Sequence, residues 1–360
     1  MSRRRIIQFI QLAVIIVTWT IIGIIITLYD YLWANAIENK SDYDFIQNVV
    51  FNMVASLMGA LIGGSFLVFY ANVKFRDRSY GFGLLAVSIA YILIIGIITV
   101  FLGFPFVKQH YGLMMDDADF GKAYRDYLFN TLHLKNILVW SLIVALTQFF
   151  LQMNNKFGHG ILWDIIRGKY HFPREETRIF MFVDLNSSTT IAEKLRDAQY
   201  HELLKDFFAD LTNPIIDNKG DIYQYVGDEV VIAWKFEKGI ENSHCLKCFF
   251  DMKAAILNNA EKYMRKYGLV PSFKAGIHFG KVIAGEIGIM KRDITFSGDV
   301  LNTTSRIQSM CKEFDVEVIA SDDLLSKLSF ANKYVARHLG SIKLRGRVGE
   351  VELSTLVMAG

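Results

Sequence analysis

The sequence predicts a four-helix transmembrane domain followed by an α/β domain, and the main reason is an uneven distribution of charge. Residues 1–156 contain 12 Lys and Arg and 9 Asp and Glu, whereas residues 157–360 contain 27 of each kind. The first part is too poor in charge for a soluble domain, and the second has ordinary globular usage. We therefore expect a membrane domain over residues 1–156, a coupling segment over 157–177 and a second domain over 178–360.

Four stretches of the first part lack Asp, Glu, Lys and Arg, and they cover residues 6–29, 45–73, 79–107 and 136–155. A bilayer core about 30 Å thick is crossed by about 20 helical residues, so each stretch is long enough to span it. A helix satisfies its own backbone in lipid, which favours four transmembrane helices. The first run is too long for a signal peptide and no small-residue cleavage site follows it.

Basic residues predict the orientation of these helices. Arg3, Arg4 and Arg5 precede the first stretch, and Lys74, Arg76 and Arg78 lie in the short link between the second and third. Because Lys and Arg concentrate in cytoplasmic loops, both termini are expected in the cytoplasm, with the protein a multi-pass component of the inner (plasma) membrane. No ionisable residue interrupts the four stretches, which disfavours ion transport.

Small residues repeat at four-residue spacing in the second stretch, at Ala55, Gly59 and Gly63. Such a face allows close helix packing in lipid. Two interpretations fit the pattern, packing within the chain and contact between two copies of it.

The second domain alternates strand-like and helix-like segments. The patterns predict a strand at 178–185, helices at 187–197 and 199–217, two strands within 222–234, a helix at 243–266, two strands within 273–286 hinged near Gly280, a helix at 299–312, a strand at 316–320 and two late strands around residues 344–347. This mixed order differs from a run of βαβ repeats. Its equal numbers of acids and bases argue against a nucleic-acid partner.

Three features of this domain carry chemistry. Asp184 ends an apolar strand just before a Ser- and Thr-rich helix start, an arrangement that can hold a metal ion beside a phosphate. Asp228 lies at a tight turn between two strands, and Asn302 and Arg306 share one helix face because they are four residues apart. Taken singly, each feature also fits a structural role as a helix cap, a hairpin turn or a solvated helix face.

Together the segments FVDLNSST, YQYVGDEVVIAW and TFSGDVLNTTSR resemble the catalytic domain of class III nucleotidyl cyclases, in the order and near the spacing of that family. The resemblance runs from about Arg178 to Leu356, and GKYHFPREE before it is similar to the coupling segment of membrane-anchored bacterial members. It implies an α+β domain with a ferredoxin-like core.

The resemblance also implies roles for individual residues. Asp184, Asp228 and the Leu185 carbonyl would hold two Mg²⁺ or Mn²⁺ ions per site. Asn302 would orient the ribose, and Arg306 would stabilise charge on the α-phosphate. The triphosphate would be held by the amides of Asn186, Ser187, Ser188 and Thr189 and by Arg345 or Arg347. In this family each site forms between two domains, so a head-to-tail homodimer is expected.

The chain departs from the family pattern at the residues that would recognise the nucleotide base. Gln224 stands where adenylate-specific members usually have Lys and guanylate-specific members usually have Glu, and a Gln side chain can both donate and accept. Thr295, at the partner position, favours ATP and therefore an adenylate cyclase that forms 3′,5′-cyclic AMP and pyrophosphate. Three alternatives remain, a guanylate cyclase, a catalytically weak regulatory cyclase-like receptor and, with less support, a diguanylate cyclase.

Overall fold

The fold is taken from a computed structural model that describes residues 3–37, 45–75, 78–157, 164–165, 167–290, 292–329, 333–343 and 349–359. The chain forms two compact units, which consist chiefly of residues 5–157 and of residues 158–360. We describe the two units separately.

The first unit is helical. Its helices are α1 (Arg3–Ile37), α2 (Phe45–Gly59), α3 (Tyr80–Tyr111), α4 (Phe120–Leu128) and α5 (Thr131–Phe157), and α2 continues through two π-helical stretches, Ala60–Gly64 and Phe66–Ala71, to Lys74. In the described residues four helices are long and apolar enough to cross a membrane, with mean hydropathy between 1.7 and 2.8. The four predicted helices are confirmed as candidate spans.

Trp19 forms the centre of the packing in this unit. Its buried ring makes edge-to-face contacts with Tyr91 at 5.5 Å and with Trp140 at 5.9 Å between centroids. Its Nε1 donates a hydrogen bond of 3.1 Å to Thr147 Oγ1. Helices α1, α3 and α5 therefore meet at one residue.

The small-residue face of α2 is used within the chain at Gly63. A Cβ atom added there would lie 2.0 Å from the Tyr91 hydroxyl oxygen, so only a residue without a side chain admits that ring. At Gly59 the nearest atom to such a Cβ is 3.9 Å away, and Gly59 and Ala55 border a cavity of about 90 Å³. Packing within the chain thus explains Gly63.

The second unit is built on one eight-stranded sheet. Its strands are β1 (Arg174–Leu185), β2 (Asp221–Val226), β3 (Glu229–Lys235), β4 (Phe273–Ile287), β5 (Asp293–Ser297), β6 (Val318–Ser321), β7 (Tyr334–Lys343) and β8 (Glu350–Met358). Their order is β2-β3-β1-β4-β6-β8-β7, with β5 also paired to β4. Only the β4–β6 pair among them is parallel in the described residues.

Helices cover both faces of this sheet. They are α6 (Ser188–Asp217, two helical segments joined at a kink at Arg196), α7 (Phe236–Ile240), α8 (His244–Asn258), α9 (Ala260–Tyr267), α10 (Asp299–Glu313) and α11 (Asp322–Leu325). Alternate residues of β1 enter two cores because successive side chains of a strand point to opposite faces. Met181 packs in the core that includes α6 and α8, and Phe180 packs in the core that includes Val300 of α10. The predicted mixed α/β fold is confirmed.

Three details differ from the sequence-based prediction. The segment predicted as two strands hinged near Gly280 is the single strand β4, and Gly280 instead makes room for Val300, whose Cβ would lie 3.1 Å from an added Cβ. The helix predicted over 243–266 is divided at Asn259 into α8 and α9. Strand β5 was not predicted.

Candidate active site

Asp184 and Asp228 are brought together by the pairing of β1 with β3. Asp184 is the penultimate residue of β1 and lies opposite Glu229, the first residue of β3. Asp228 occupies the tight turn just before β3, where Gly227 has a φ of 64° that favours glycine. The two half-buried carboxyl groups are close enough to form a hydrogen bond when one is protonated. The structure therefore joins the two acids predicted from the sequence.

Negative charge is crowded at this point. Burial and the neighbouring Asp228 raise the pKa of Asp184 to about 6, although a hydrogen bond from Gln308 acts in the opposite direction. Burial, together with Asp184 and Asp228, raises the pKa of Glu229 to about 7. These shifts show that the site disfavours its own full ionisation and would be stabilised by a cation.

The oxygen atoms at this point suit magnesium or manganese. Hard divalent ions prefer oxygen ligands, and Mg²⁺ is commonly held by one or two carboxylates with the remaining positions taken by water and substrate phosphates. In the part of the chain that the structure describes, no group of three or more His, Cys, Asp and Glu side chains forms a complete metal cage. Asp184 and Asp228 match the open kind of site. The Leu185 side chain is a hydrocarbon buried in the core, so Leu185 can contribute only its backbone carbonyl.

The segment after β1 turns directly into the N-terminus of α6. Ser187 adopts a left-handed conformation with a φ of 55°, and the hydrogen bonds of the helix begin with Ile191 N donating to Ser187 O at 3.0 Å. The amides of Ser188 and Thr189 precede that first bond, so the helix itself does not use them. A helix N-terminus beside two metal-binding acids is suited to a phosphate chain.

Asn186 has a different role from the one predicted. Its backbone amide donates to the Ser272 carbonyl at 2.9 Å, and its side-chain Nδ2 donates to Ser272 Oγ at 3.0 Å. The amide is therefore engaged in anchoring the loop to the segment before β4. This corrects the expectation that Asn186 presents its amide to phosphate.

Asn302 and Arg306 share one face of α10, as their spacing predicts. Asn302 is exposed, and Arg306 is half-buried with a buried Nη1 atom that has no hydrogen-bond partner in the part of the chain that the structure describes. Among the described residues no hydrogen bond or ion pair joins either side chain to Asp184 or Asp228. Within one chain, α10 instead reaches Asp184 through Gln308.

The two predicted base-recognition residues lie on β2 and β5. Gln224 is exposed, and Thr295 is half-buried with its hydroxyl donating to the Gly285 carbonyl at 3.5 Å. Their chain neighbours touch, because Phe296 N donates to the Tyr223 hydroxyl at 3.2 Å. The two strands therefore meet near the two residues. Arg345 and Arg347, the predicted terminal-phosphate ligands, lie outside the described residues.

Two residues near the acids were not predicted from the sequence. Tyr200 on α6 has a raised pKa, caused first by burial and then by the charge of Asp228. Gln308 on α10 donates to Asp184. The sequence offers one signal for Gln308. It is a polar residue four positions after Thr304, on the helix face that is otherwise buried.

Comparison with known proteins identifies the class of this chain. Residues 172–359 match the family described as adenylate and guanylate cyclase catalytic domain, which covers just over half of the chain. The chain therefore belongs to the class III nucleotidyl cyclase family.

Its relatives include both kinds of cyclase. The chain is 34% identical over 213 residues to adenylate cyclase 2 of Rhizobium meliloti (strain 1021), a match that covers 59% of each protein. It is 29% identical over 174 residues to an adenylate cyclase of Anabaena cylindrica, covering 46% of this chain and 34% of the relative. It is 28% identical over 171 residues to human retinal guanylyl cyclase 2, covering 46% and 15%. The chain thus spans less than two thirds of the length of these relatives.

The fold also matches a solved structure. A bacterial light-regulated adenylyl cyclase superposes with a TM-score of 0.52 at 19% identity, over 61% of this chain and 64% of that one. At this identity the match establishes a shared fold.

Proposed function

We propose that this protein is a membrane-bound adenylate cyclase that converts ATP to 3′,5′-cyclic AMP and pyrophosphate. The observation that carries the proposal is the Asp184–Asp228 pair next to the N-terminal amides of α6. Family membership and the adenylate cyclases among the relatives support it. The four apolar helices support anchorage in the inner membrane, for which the sequence predicts cytoplasmic termini.

In the proposed reaction the 3′-hydroxyl of the ribose attacks the α-phosphate in line and pyrophosphate leaves. Two Mg²⁺ or Mn²⁺ ions, when bound, supply positive charge that activates the hydroxyl and neutralises the triphosphate. Asp184 and Asp228 would hold these ions, with the Leu185 carbonyl as a further ligand. The amides of Ser187, Ser188 and Thr189 bind phosphate oxygens, and Arg345 or Arg347 completes that contact.

We propose that each site is shared by two chains. Asn302 is exposed, and Arg306 Nη1 has no hydrogen-bond partner among the described residues, which suits contact with a substrate that is held mainly by another chain. A head-to-tail homodimer would bring Asn302 to the ribose and Arg306 to the α-phosphate at the acids of the partner chain. Such a dimer contains two equivalent sites.

Guanylate cyclase activity is the second candidate, and the observation that favours it is Gln224. Its exposed amide can accept as well as donate, so it does not select adenine by itself. Thr295 on β5 favours ATP in the proposal. Replacement of Gln224 by Glu is expected to shift the product ratio towards cyclic GMP.

The direct test is product analysis of the purified full chain supplied with ATP or GTP and Mn²⁺. Cyclic AMP as the main product supports the proposal, and cyclic GMP as the main product replaces it with the second candidate. Formation of neither product, in a preparation that still binds the nucleotide, would favour a regulatory cyclase-like protein. The Asp184→Ala variant should form no product, whereas replacement of the exposed Asp197 by Ala should leave activity unchanged.

A further inference from the structure

Helix α10 approaches the sheet unusually closely at one residue, Gly276 of β4. A Cβ atom added to Gly276 would lie 2.3 Å from the backbone nitrogen of Gln308 and 2.7 Å from its Cα. Backbone atoms cannot move aside as the end of a flexible side chain can. Only glycine at position 276 therefore permits α10 to lie this close to β4. The Cys311 thiol, 3.3 Å from the Ala275 carbonyl oxygen, marks the same close contact.

The close approach brings the side chain of Gln308 to the metal-binding acid of its own chain. Gly276 lies opposite Phe182 on β1, and Asp184 is two residues further along that strand. Gln308 is 8% exposed, and its Nε2 atom lies 3.4 Å from Asp184 Oδ2. Although this hydrogen bond is long, it joins α10 directly to the Asp184 carboxylate.

A side-chain amide has chemical properties that suit this position. It donates a hydrogen bond to a carboxylate without neutralising it, so the full negative charge of Asp184 remains for a cation. A Lys or Arg would compete with the metal ions, and an apolar side chain of the same size would fill the space without holding the carboxylate.

We propose that Gln308 is a positioning residue for the metal site, one that holds the Asp184 carboxylate in a fixed rotation relative to Asp228. The inference rests on the proposed function of the Asp184–Asp228 pair. Some residues hydrogen-bond to a metal ligand and orient it without contacting the metal. Their replacement typically changes metal affinity or activity by about 10- to 100-fold. Because the bond is long, we expect an effect of about tenfold, near the lower end of that range.

The experiment measures Mn²⁺ binding to the full chain by calorimetry, in the presence of an ATP analogue whose α,β-bridging oxygen is replaced by methylene. Four variants are compared with the unaltered chain. Gln308→Leu removes the donor, Gln308→Glu places a second carboxylate against Asp184, Asp184→Asn removes the metal ligand, and Ser309→Ala is a matched control on the exposed side of α10. Thermal unfolding with EDTA monitors the fold of each variant.

We expect Gln308→Leu to weaken Mn²⁺ binding about tenfold with little change in metal-free thermal stability. Gln308→Glu also removes the donor, but its added negative charge attracts the cation, so Mn²⁺ affinity should fall less than in Gln308→Leu. In activity assays Gln308→Leu should need more Mn²⁺ for half-maximal rate and recover at saturating Mn²⁺, an outcome that a purely structural role would not give. Ser309→Ala should match the unaltered chain.

Two results would overturn the inference. One is unchanged Mn²⁺ affinity in Gln308→Leu while Asp184→Asn abolishes binding, which would reject the role of Gln308 and leave the metal site standing. The other is a loss of binding in Gln308→Leu that accompanies a matching loss of metal-free stability, which would make Gln308 a packing residue. Unchanged binding in Asp184→Asn would instead reject the proposed metal site itself.

Discussion

Replacing Asp184 with Asn should stabilise the metal-free protein while abolishing its activity. Asp184 is half-buried and lies beside Asp228, and both conditions make its negative charge unfavourable until a cation is bound. Asn keeps the shape of the side chain and removes the charge. The same substitution therefore relieves repulsion in the metal-free state and removes a metal ligand, so stability and activity should change in opposite directions.

The magnitude follows from the shift in pKa, from the usual 3.8 of Asp to about 6. At about 1.4 kcal/mol per pH unit this corresponds to at most about 3 kcal/mol. Solvent screening of a half-buried group reduces it to about 1–2 kcal/mol. For a unit of this size, each kcal/mol shifts the Tm by about 2–4 °C, so the expected increase is about 2–8 °C.

The assay is thermal unfolding of the purified full chain in EDTA at pH 7.5 and pH 4.5. The folded-state pKa of Asp184 is raised, so protonation stabilises the unaltered protein as the pH falls from about 6 towards 4. The advantage of Asn should be complete above pH 7 and reduced to about a third at pH 4.5, where Asp184 is neutral in the folded protein but still mostly ionised in the unfolded chain. Exposed Asp197, replaced by Asn, serves as the control. A Tm at pH 7.5 that is unchanged or lowered by Asp184→Asn would refute the repulsion between the two acids.

The remaining predictions concern the dimer, the pH dependence of metal binding, the topology and the membrane unit. Co-expression of Asp184→Ala and Arg306→Ala chains should restore about a quarter of the unaltered activity, because about half of the dimers are mixed and each has one intact site; no recovery, with mixed dimers verified by two different tags, would reject shared sites. Mn²⁺ affinity should fall about tenfold between pH 7 and pH 5, because the ionised fraction of Asp184 falls from about nine tenths to about one tenth around its pKa of about 6; calorimetry showing no decrease would contradict the assignment. Reporter fusions after residues 75, 115 and 157 should read inside, outside and inside, and any other pattern would exclude the four-helix topology. Gly63→Leu should destabilise the membrane unit through the Tyr91 ring, whereas Gly59→Ala, with 3.9 Å to its nearest neighbour, should be tolerated in detergent unfolding assays.

The predicted elements that matched the structure depend on local patterns. The charge-free stretches of the first unit, the strand that ends at Leu185 and the turn at Gly227 are each set by neighbouring residues, and they lie where the sequence predicts them. The pairing of the two acids was implied by the resemblance to the cyclase family, and in the structure the turn before β3 places Asp228 beside the end of β1.

The features that could not be predicted depend on contacts between distant segments. Gly280 in a strand pattern is as consistent with a hinge as with a packing site, and the choice depends on Val300, which is 20 residues away in the chain. The amide of Asn186 is used by Ser272 and the side chain of Gln308 reaches Asp184, and neither pairing leaves a periodic signal in the sequence. The position of a residue on its strand or helix was therefore predictable, whereas the residue that it contacts in the folded chain was not.

Helix α10 carries Gln308 on one side and Asn302 and Arg306 on the other. In the proposed dimer, α10 would therefore support Asp184 of its own chain and supply the phosphate and ribose contacts at the site of the partner chain. A substitution that tilts α10 in a single chain would impair both sites of a mixed dimer at once. A defective chain produced beside a normal one should then inactivate both sites of every mixed dimer. Such alleles should therefore be dominant rather than recessive.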